Sequence, residues 1–192
     1  MPVRTAALTH ALATVDEDTF VRRPDGNLVT QSSSQQIIAD MIDRLDVRPG
    51  MTVLEVGTGS GYSTALLATL VGREGLVLSI DVVAELVVRA NTLLPAHGYP
   101  NTTVVRADGA QGAPDKGPFD RIIAWATATH IPSAWTTQLA GDGLIVAPLT
   151  AAPISKSGIG AVIELAADAT PYVNELFPAG FVEMHGQELD QW

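Results

Sequence analysis

The sequence predicts an α/β protein with a mostly parallel central sheet, helices on both faces and an antiparallel pair of strands at one edge. Three observations predict it. Short apolar runs of strand character alternate with segments of helical period along most of the chain. Three glycines alternate directly after the first run, in VLEVGTGSGY at 53–62. The next two strand-like runs also meet acids at their ends, in LSID at 78–81 and VVRADG at 104–109. Parallel strands need a crossover of helix length, so this alternation favours a parallel sheet covered on both sides.

The elements follow in order. Residues 1–19 read as a short, loosely attached helix, and Pro24-Asp25-Gly26-Asn27 as a turn. Gln35 to Leu45 is helical, with Ile37, Ile38, Met41, Ile42 and Leu45 on one stripe, until Arg48-Pro49-Gly50 stops it. Thr52 to Val56 is a buried-type strand and Ser63 to Val71 the helix after it. The alternation continues through a strand at Leu76–Ile80, a helix at Val83–Leu94 and a strand at Thr103–Arg106. Then come a strand at Arg121–Ala126, a helix at Ser133–Leu139 and a strand at Gly143–Pro148. Ile159–Leu165 and Gly180–His185 read as the antiparallel edge pair. No repeat or linker interrupts this order, so residues 1–192 are expected to form one domain.

Composition narrows the function. Hydrophobic residues make up 46% of the 192, yet no apolar run approaches the roughly 20 needed to span a bilayer. The first residues, MPVRTAALTHALATVDED, lack the apolar core of a secretory signal. There are no cysteines, which removes disulfides, thiolate metal sites and cysteine nucleophiles together and fits a cytoplasmic protein. The four histidines are scattered, so no metal site is expected. Lys+Arg is 11 against 21 Asp+Glu, a net charge of −10, which disfavours nucleic acid as a partner.

The glycine loop holds the most chemistry. In a sheet of this kind, ligands sit beyond the carboxyl ends of the strands. Glycines let the backbone bend tightly and let a ligand approach it. The loop has no Gly-Lys-Ser/Thr, so it is not a Walker loop. Its spacing is G-x-G-x-G, with Glu55 two residues before Gly57. A carboxylate there is awkward beside a pyrophosphate and reasonable beside a cation. S-adenosylmethionine carries a sulfonium and an ammonium and no phosphate. Asp81 stands twenty residues after Gly61, where an acid accepts from ribose hydroxyls. Asp108-Gly109, after the third strand, is placed for an adenine edge. The alternative for these acids is helix capping.

These residues resemble the protein-L-isoaspartate O-methyltransferases, a branch of the Rossmann-like S-adenosylmethionine-dependent methyltransferases. The likeness runs from about Asp25 to Gly186. It is carried by Gln31-Ser32-Ser33-Ser34-Gln35, VLEVGTGSGY, LSID, ADGAQG at 107–112, PFDRII at 118–123, QLAGDGLIVAPL at 138–149 and FVEMHG at 181–186. The resemblance implies a Rossmann-like methyltransferase fold, S-adenosylmethionine as cofactor, and methyl esterification of an isoaspartyl α-carboxylate in a protein or peptide. It implies cofactor contacts at Glu55, Gly57, Thr58, Gly59, Gly61, Asp81, Val82, Asp108 and Gly109. It implies that Ser34 lies at the reaction centre, with residues 1–30 as a substrate-side segment; Gln31, Ser32 and Ser33 read either as further substrate-side donors, Gln31 and Ser33 foremost, or as a polar loop. Trp125 stands where the family has a small residue; it either walls the acceptor pocket or fills the core.

TFVRRPDGNLVTQSSSQ also resembles a sub-branch found with ribosomally made peptides, whose members methylate an aspartate side chain of a precursor that then forms an imide. Both readings share cofactor and mechanism. A carboxylate is ionised at neutral pH, so the in-line displacement needs no general base, only alignment of oxygen, methyl and sulfur. Ser34 would orient the acceptor, or cap the helix from Gln35. Arg22, Arg23 and His130 are expected to be solvated or to act from outside the site. A nicotinamide oxidoreductase is disfavoured by the glycine spacing. A cytosine C5 methyltransferase is disfavoured by the missing cysteine. A cofactor-binding module without turnover is the remaining alternative.

Overall fold

The computed structural model describes residues 4–29, 33–152, 157–166 and 168–184. Strands β1 (Thr52–Val56), β2 (Leu76–Asp81), β3 (Thr102–Arg106), β4 (Phe119–Ala124), β5 (Leu139–Ala152), β6 (Ser157–Leu165) and β7 (Pro171–Pro178) form one sheet in the order β3-β2-β1-β4-β5-β6-β7. Pairing is parallel from β3 through β5. β6 then runs antiparallel to β5, and β7 antiparallel to β6.

The helices are α1 (Ala6–Thr14), α2 (Glu17–Val21), α3 (Gln35–Leu45), α4 (Tyr62–Val71), α5 (Ala84–Ala96) and α6 (Ser133–Gln138). Among the described residues no helix is long and apolar enough to cross a membrane. α3 forms because Ile38, Met41, Ile42 and Leu45 recur at helical spacing and are all buried. It ends at Asp46, which takes a left-handed φ of 49°. The Arg121 guanidinium closes that end by donating to the Leu45 carbonyl at 2.7 Å.

The two-residue period of the strands sorts the core. Val53, Val77, Ile123 and Val146 join one buried cluster with α1, α3, α4 and α5. Leu54, Leu78, Ile122 and Ile145 join the other, with Trp135 of α6. Chain order reverses direction at β1, between β2 and β4, so a crevice opens beyond the carboxyl ends of β1 and β4.

β5, expected at Gly143–Pro148, extends four residues further at each end, and two regions differ more deeply from the sequence expectation. The amino-terminal segment is not loosely attached: it is two helices, with Leu8 at 1% and Ala11 at 0% exposure, packed against α4. The second edge strand is Pro171–Pro178, not Gly180–His185. Only Phe177 of that strand is buried, so it shows no apolar alternation to read. Prolines at its two ends are tolerated because it lies at the edge of the sheet. Residues 181–184 instead lie beside Thr127, whose amide donates to the Val182 carbonyl at 2.7 Å and whose carbonyl accepts from Met184 at 2.8 Å. His185 lies outside the described residues.

Candidate active site

The loop from β1 to α4 turns sharply because three alternate residues take positive φ: Gly57 at 94°, Gly59 at 52° and Gly61 at 86°. Side chains are strained there, and glycine is not. The turn is tied to the neighbouring strand. The Gly57 amide donates to the Ile80 carbonyl at 2.7 Å, and the Gly59 amide to Asp81 Oδ2 at 2.9 Å. Asp81 Oδ1 accepts from the Val83 amide at 2.9 Å. Each carboxylate oxygen has two acceptor positions, so Asp81 retains capacity on both.

Above this loop lies a cavity of about 660 Å³. Gly57, Thr58, Gly59, Asp81, Val82, Gly109, Ser33 and Trp125, all expected at the site, line it. Among the described residues its wall carries the carboxylates of Asp81, Glu85 and Glu183 and no lysine, arginine or histidine. Gly109 is needed for contact: a Cβ there would come within 2.5 Å of Val56 Cγ1.

Glu55 departs from its expected place. It is fully buried one layer beneath the loop rather than on the cavity wall. Its period-two position points it at α4, where Ser63 Oγ donates at 2.5 Å and Thr64 Oγ1 also donates. Ser79 Oγ donates at 2.7 Å and the Trp125 indole N–H at 2.9 Å. Burial pushes this carboxyl above its ordinary range, against the four donors, which favour the ionised form. Glu55 therefore shapes the loop from below. Asp108 departs as well. Its Oδ1 accepts from the Ala110 amide at 2.9 Å and caps the 3-10 turn Gly109–Gln111, and it does not line the cavity.

On the opposite wall, Trp125 does both things expected of it as alternatives. It is 9% exposed, packs against Phe181 with ring centroids 6.1 Å apart, and still faces the cavity. Ser33 lines the cavity, whereas Ser34 is exposed as the α3 N-cap and makes no side-chain capping bond. Gln31 lies outside the described residues. Arg22 pairs with Asp18 and Arg23 with Glu85, and His130 is exposed beside Thr129.

The sequence reading missed the ring of hydroxyls around Glu55 and the wall formed by Val182, Glu183 and Met184. A signal for the first existed: Ser79 sits in the middle of an otherwise apolar strand, and Ser63 and Thr64 begin an apolar helix. Polar residues in such runs need buried partners.

A glycine turn after β1, an acid at the end of β2 and a crevice at the β1/β4 reversal define a Rossmann-like cofactor-binding fold. Comparison with known proteins narrows this. The family described as Protein-L-isoaspartate(D-aspartate) O-methyltransferase (PCMT) matches residues 3–188, and the chain belongs to it. A protein-L-isoaspartate O-methyltransferase of Ignicoccus hospitalis is 39% identical over 157 residues, 81% of this chain and 72% of that protein. A solved protein-L-isoaspartate O-methyltransferase has the same fold, with a TM-score of 0.84 at 23% identity over 95% of this chain and 62% of that one. A putative Plasmodium falciparum protein-L-isoaspartate O-methyltransferase, solved in complex with S-adenosyl-L-homocysteine, has a TM-score of 0.79 at 19% identity, over 95% of this chain and 92% of that one.

Proposed function

We propose that this protein is an S-adenosylmethionine-dependent carboxyl O-methyltransferase that esterifies L-isoaspartyl residues of proteins or peptides. One observation carries the reading. In a chain of the PCMT family, the cavity over the glycine turn is walled by carboxylates, with no basic side chain among its described lining residues. Such a wall suits a cationic ligand without phosphate and opposes a dinucleotide. When bound, S-adenosylmethionine supplies an activated methyl group on a sulfonium.

The chain's own residues do the rest. Gly57 and Gly59 leave the backbone bare beside Thr58 for the cofactor's amino-acid end, while Gly61, which does not line the cavity, turns the chain against Phe20 and Ala90. The open acceptor positions of Asp81 suit ribose hydroxyls, and Val82 and Gly109 flank the base. Ser33 supplies a hydroxyl on the cavity wall to orient the acceptor carboxylate, and Ser34, the next residue, is the one that the family resemblance assigns to the reaction centre. Gln31 is a further donor on that side. No residue need remove a proton, because the acceptor is already ionised at neutral pH. Alignment then accounts for the rate, a contribution of up to roughly 7–11 kcal/mol in well-oriented reactions. The anionic surface supports a polypeptide partner rather than nucleic acid, and the lack of cysteine supports a cytoplasmic setting.

The test uses methyl-labelled S-adenosylmethionine and two peptides that differ only in isoaspartate against aspartate at one position. Base-labile methyl ester on the isoaspartyl peptide alone is the expected result. Ester on the aspartyl peptide alone, or cofactor binding with ester on neither, would overturn it.

A further inference from the structure

α5 carries a cation that methyl transfer does not require. Arg89 is half-buried and directs its guanidinium at three carbonyls rather than at a carboxylate. Nη1 donates to Ser60 O at 2.8 Å. Nη2 donates to Phe20 O at 2.6 Å and to Arg22 O at 3.0 Å. Ser60 sits between Gly59 and Gly61 in the glycine turn and lines the cavity. Phe20 and Arg22 flank the end of α2, where a hairpin begins.

That hairpin leads to the serines. The Arg23 amide donates to Asn27 O at 2.7 Å, the Val29 amide donates to Val21 O at 2.8 Å, and Arg22 and Leu28 form an antiparallel bridge. Four residues beyond Val29 the chain reaches Ser33 on the cavity wall. Two further contacts lie along the same seam. Glu85, one helical turn before Arg89 and itself on the cavity wall, pairs with Arg23. The Phe20 ring lies against the glycine turn, 3.6 Å from where a Gly61 Cβ would stand. A guanidinium can serve these carbonyls together because its donors are held in a rigid planar fork; an ammonium is a point charge on a flexible stem.

We propose that Arg89 is a positioning residue that couples the cofactor turn to the hairpin of residues 21–29, so that filling the cavity steadies that hairpin. The proposal rests on the reading of the cavity as the S-adenosylmethionine site. A ligand that orients the Gly59–Gly61 backbone orients the Ser60 carbonyl. Arg89 carries that restraint to the Phe20 and Arg22 carbonyls. Linkage makes the coupling mutual: an acceptor that orders the hairpin tightens the cofactor turn by the same factor. The device suits a reaction that depends on alignment, because the hairpin is steadied by the part of the cofactor that S-adenosylmethionine and S-adenosylhomocysteine share.

The test measures amide hydrogen exchange of residues 20–29 with and without saturating S-adenosylhomocysteine, in the wild type, Arg89→Met and Arg89→Lys. In the wild type the ligand should slow exchange of the Arg23 and Val29 amides by about fivefold or more, the low end of ordinary coupling. In Arg89→Met that gain should vanish while the gain in α4 persists, since the cavity is still filled. Arg89→Lys should lose most of it, and decides the matter alone if Arg89→Met does not fold. An unchanged hairpin gain in the substituted proteins would overturn the coupling, as would ligand binding to the wild type with no hairpin gain. Failure of the wild type to bind S-adenosylhomocysteine at all would instead remove the functional reading, and the coupling with it.

Discussion

The two walls of the cavity are built in opposite ways. The wall proposed to hold the cofactor comes from one continuous piece of chain, from β1 to the turn after β3. Its members occupy strand ends that neighbour one another in the parallel register, as with Val56 beside Ile80. The wall proposed to face the acceptor is assembled from three distant pieces: Ser33 before α3, Trp125 and Ala126 after β4, and Val182 to Met184 beyond the last strand. The first wall is a local motif. The second exists only because Thr127 holds the chain near its carboxyl end and the amino-terminal hairpin folds back over α5. The two walls meet at Glu55, which accepts from α4 behind the glycine turn and from the Trp125 indole on the acceptor side.

Breaking that junction should have the largest effect. Glu55→Ala removes the acceptor of four buried donors, of which Ser79 keeps Thr58 Oγ1 at 2.6 Å; at about 1–3 kcal/mol for each of the others, a loss of at least about 3 kcal/mol is expected in urea unfolding. Both cofactor and peptide binding should fall with it. The same residue predicts a pH dependence. Its folded pKa lies above its ordinary value of 4.5, so in the window between the two the native state holds a proton that the unfolded chain has released. Stability from this group is thus present at and below about pH 4.5 and is lost as pH rises through the folded pKa. Unfolding measured in steps upward from pH 4.5 should show this slope in the wild type and a flatter one in Glu55→Gln.

The walls separate with milder changes. Asp81→Ala touches only the cofactor side and removes a charged acceptor. S-adenosylhomocysteine should bind roughly tenfold to a hundredfold more weakly by calorimetry, about 1.4–2.8 kcal/mol. Unchanged affinity would show that another group holds the ribose. Ser34→Ala touches only the acceptor side: kcat should drop about tenfold, the worth of one hydrogen bond to a charged group, with cofactor affinity intact. Ser33→Ala sharpens this, because Ser33 is the one of the pair that lines the cavity; a larger loss there would transfer the orienting role to it. Trp125→Phe keeps an aromatic ring, deletes the N–H to Glu55 and trims the buried ring system. It should cost at least about 1 kcal/mol in unfolding and change the peptide KM more than the cofactor affinity.

The difference between the walls also explains what could be read in advance. α3 and β1 take the expected bounds, and α4, α5, β2 and β3 fall within two residues of theirs, because apolar period and glycine or proline breaks act within a few residues. β7 was not legible, because an edge strand with one buried side chain carries no alternation. Asp108 and Asp81 look alike in sequence, each at a strand end. Asp108 turns back on its own 3-10 turn, while Asp81 reaches across to the glycine loop and still faces the cavity.

By itself, then, the sequence determined the α/β class, the helix and strand succession through β5, and the place of the glycine turn. Each of these rests on contacts between near neighbours in the chain. Only the tertiary structure decided that Glu55 is buried beneath the site, that Ser33 rather than Ser34 lines it, and that residues 182–184 close one side. Periodicity says which face of an element is buried. It does not say which polar group from a distant segment will be waiting there, and a buried carboxylate takes whatever donors the fold brings within reach.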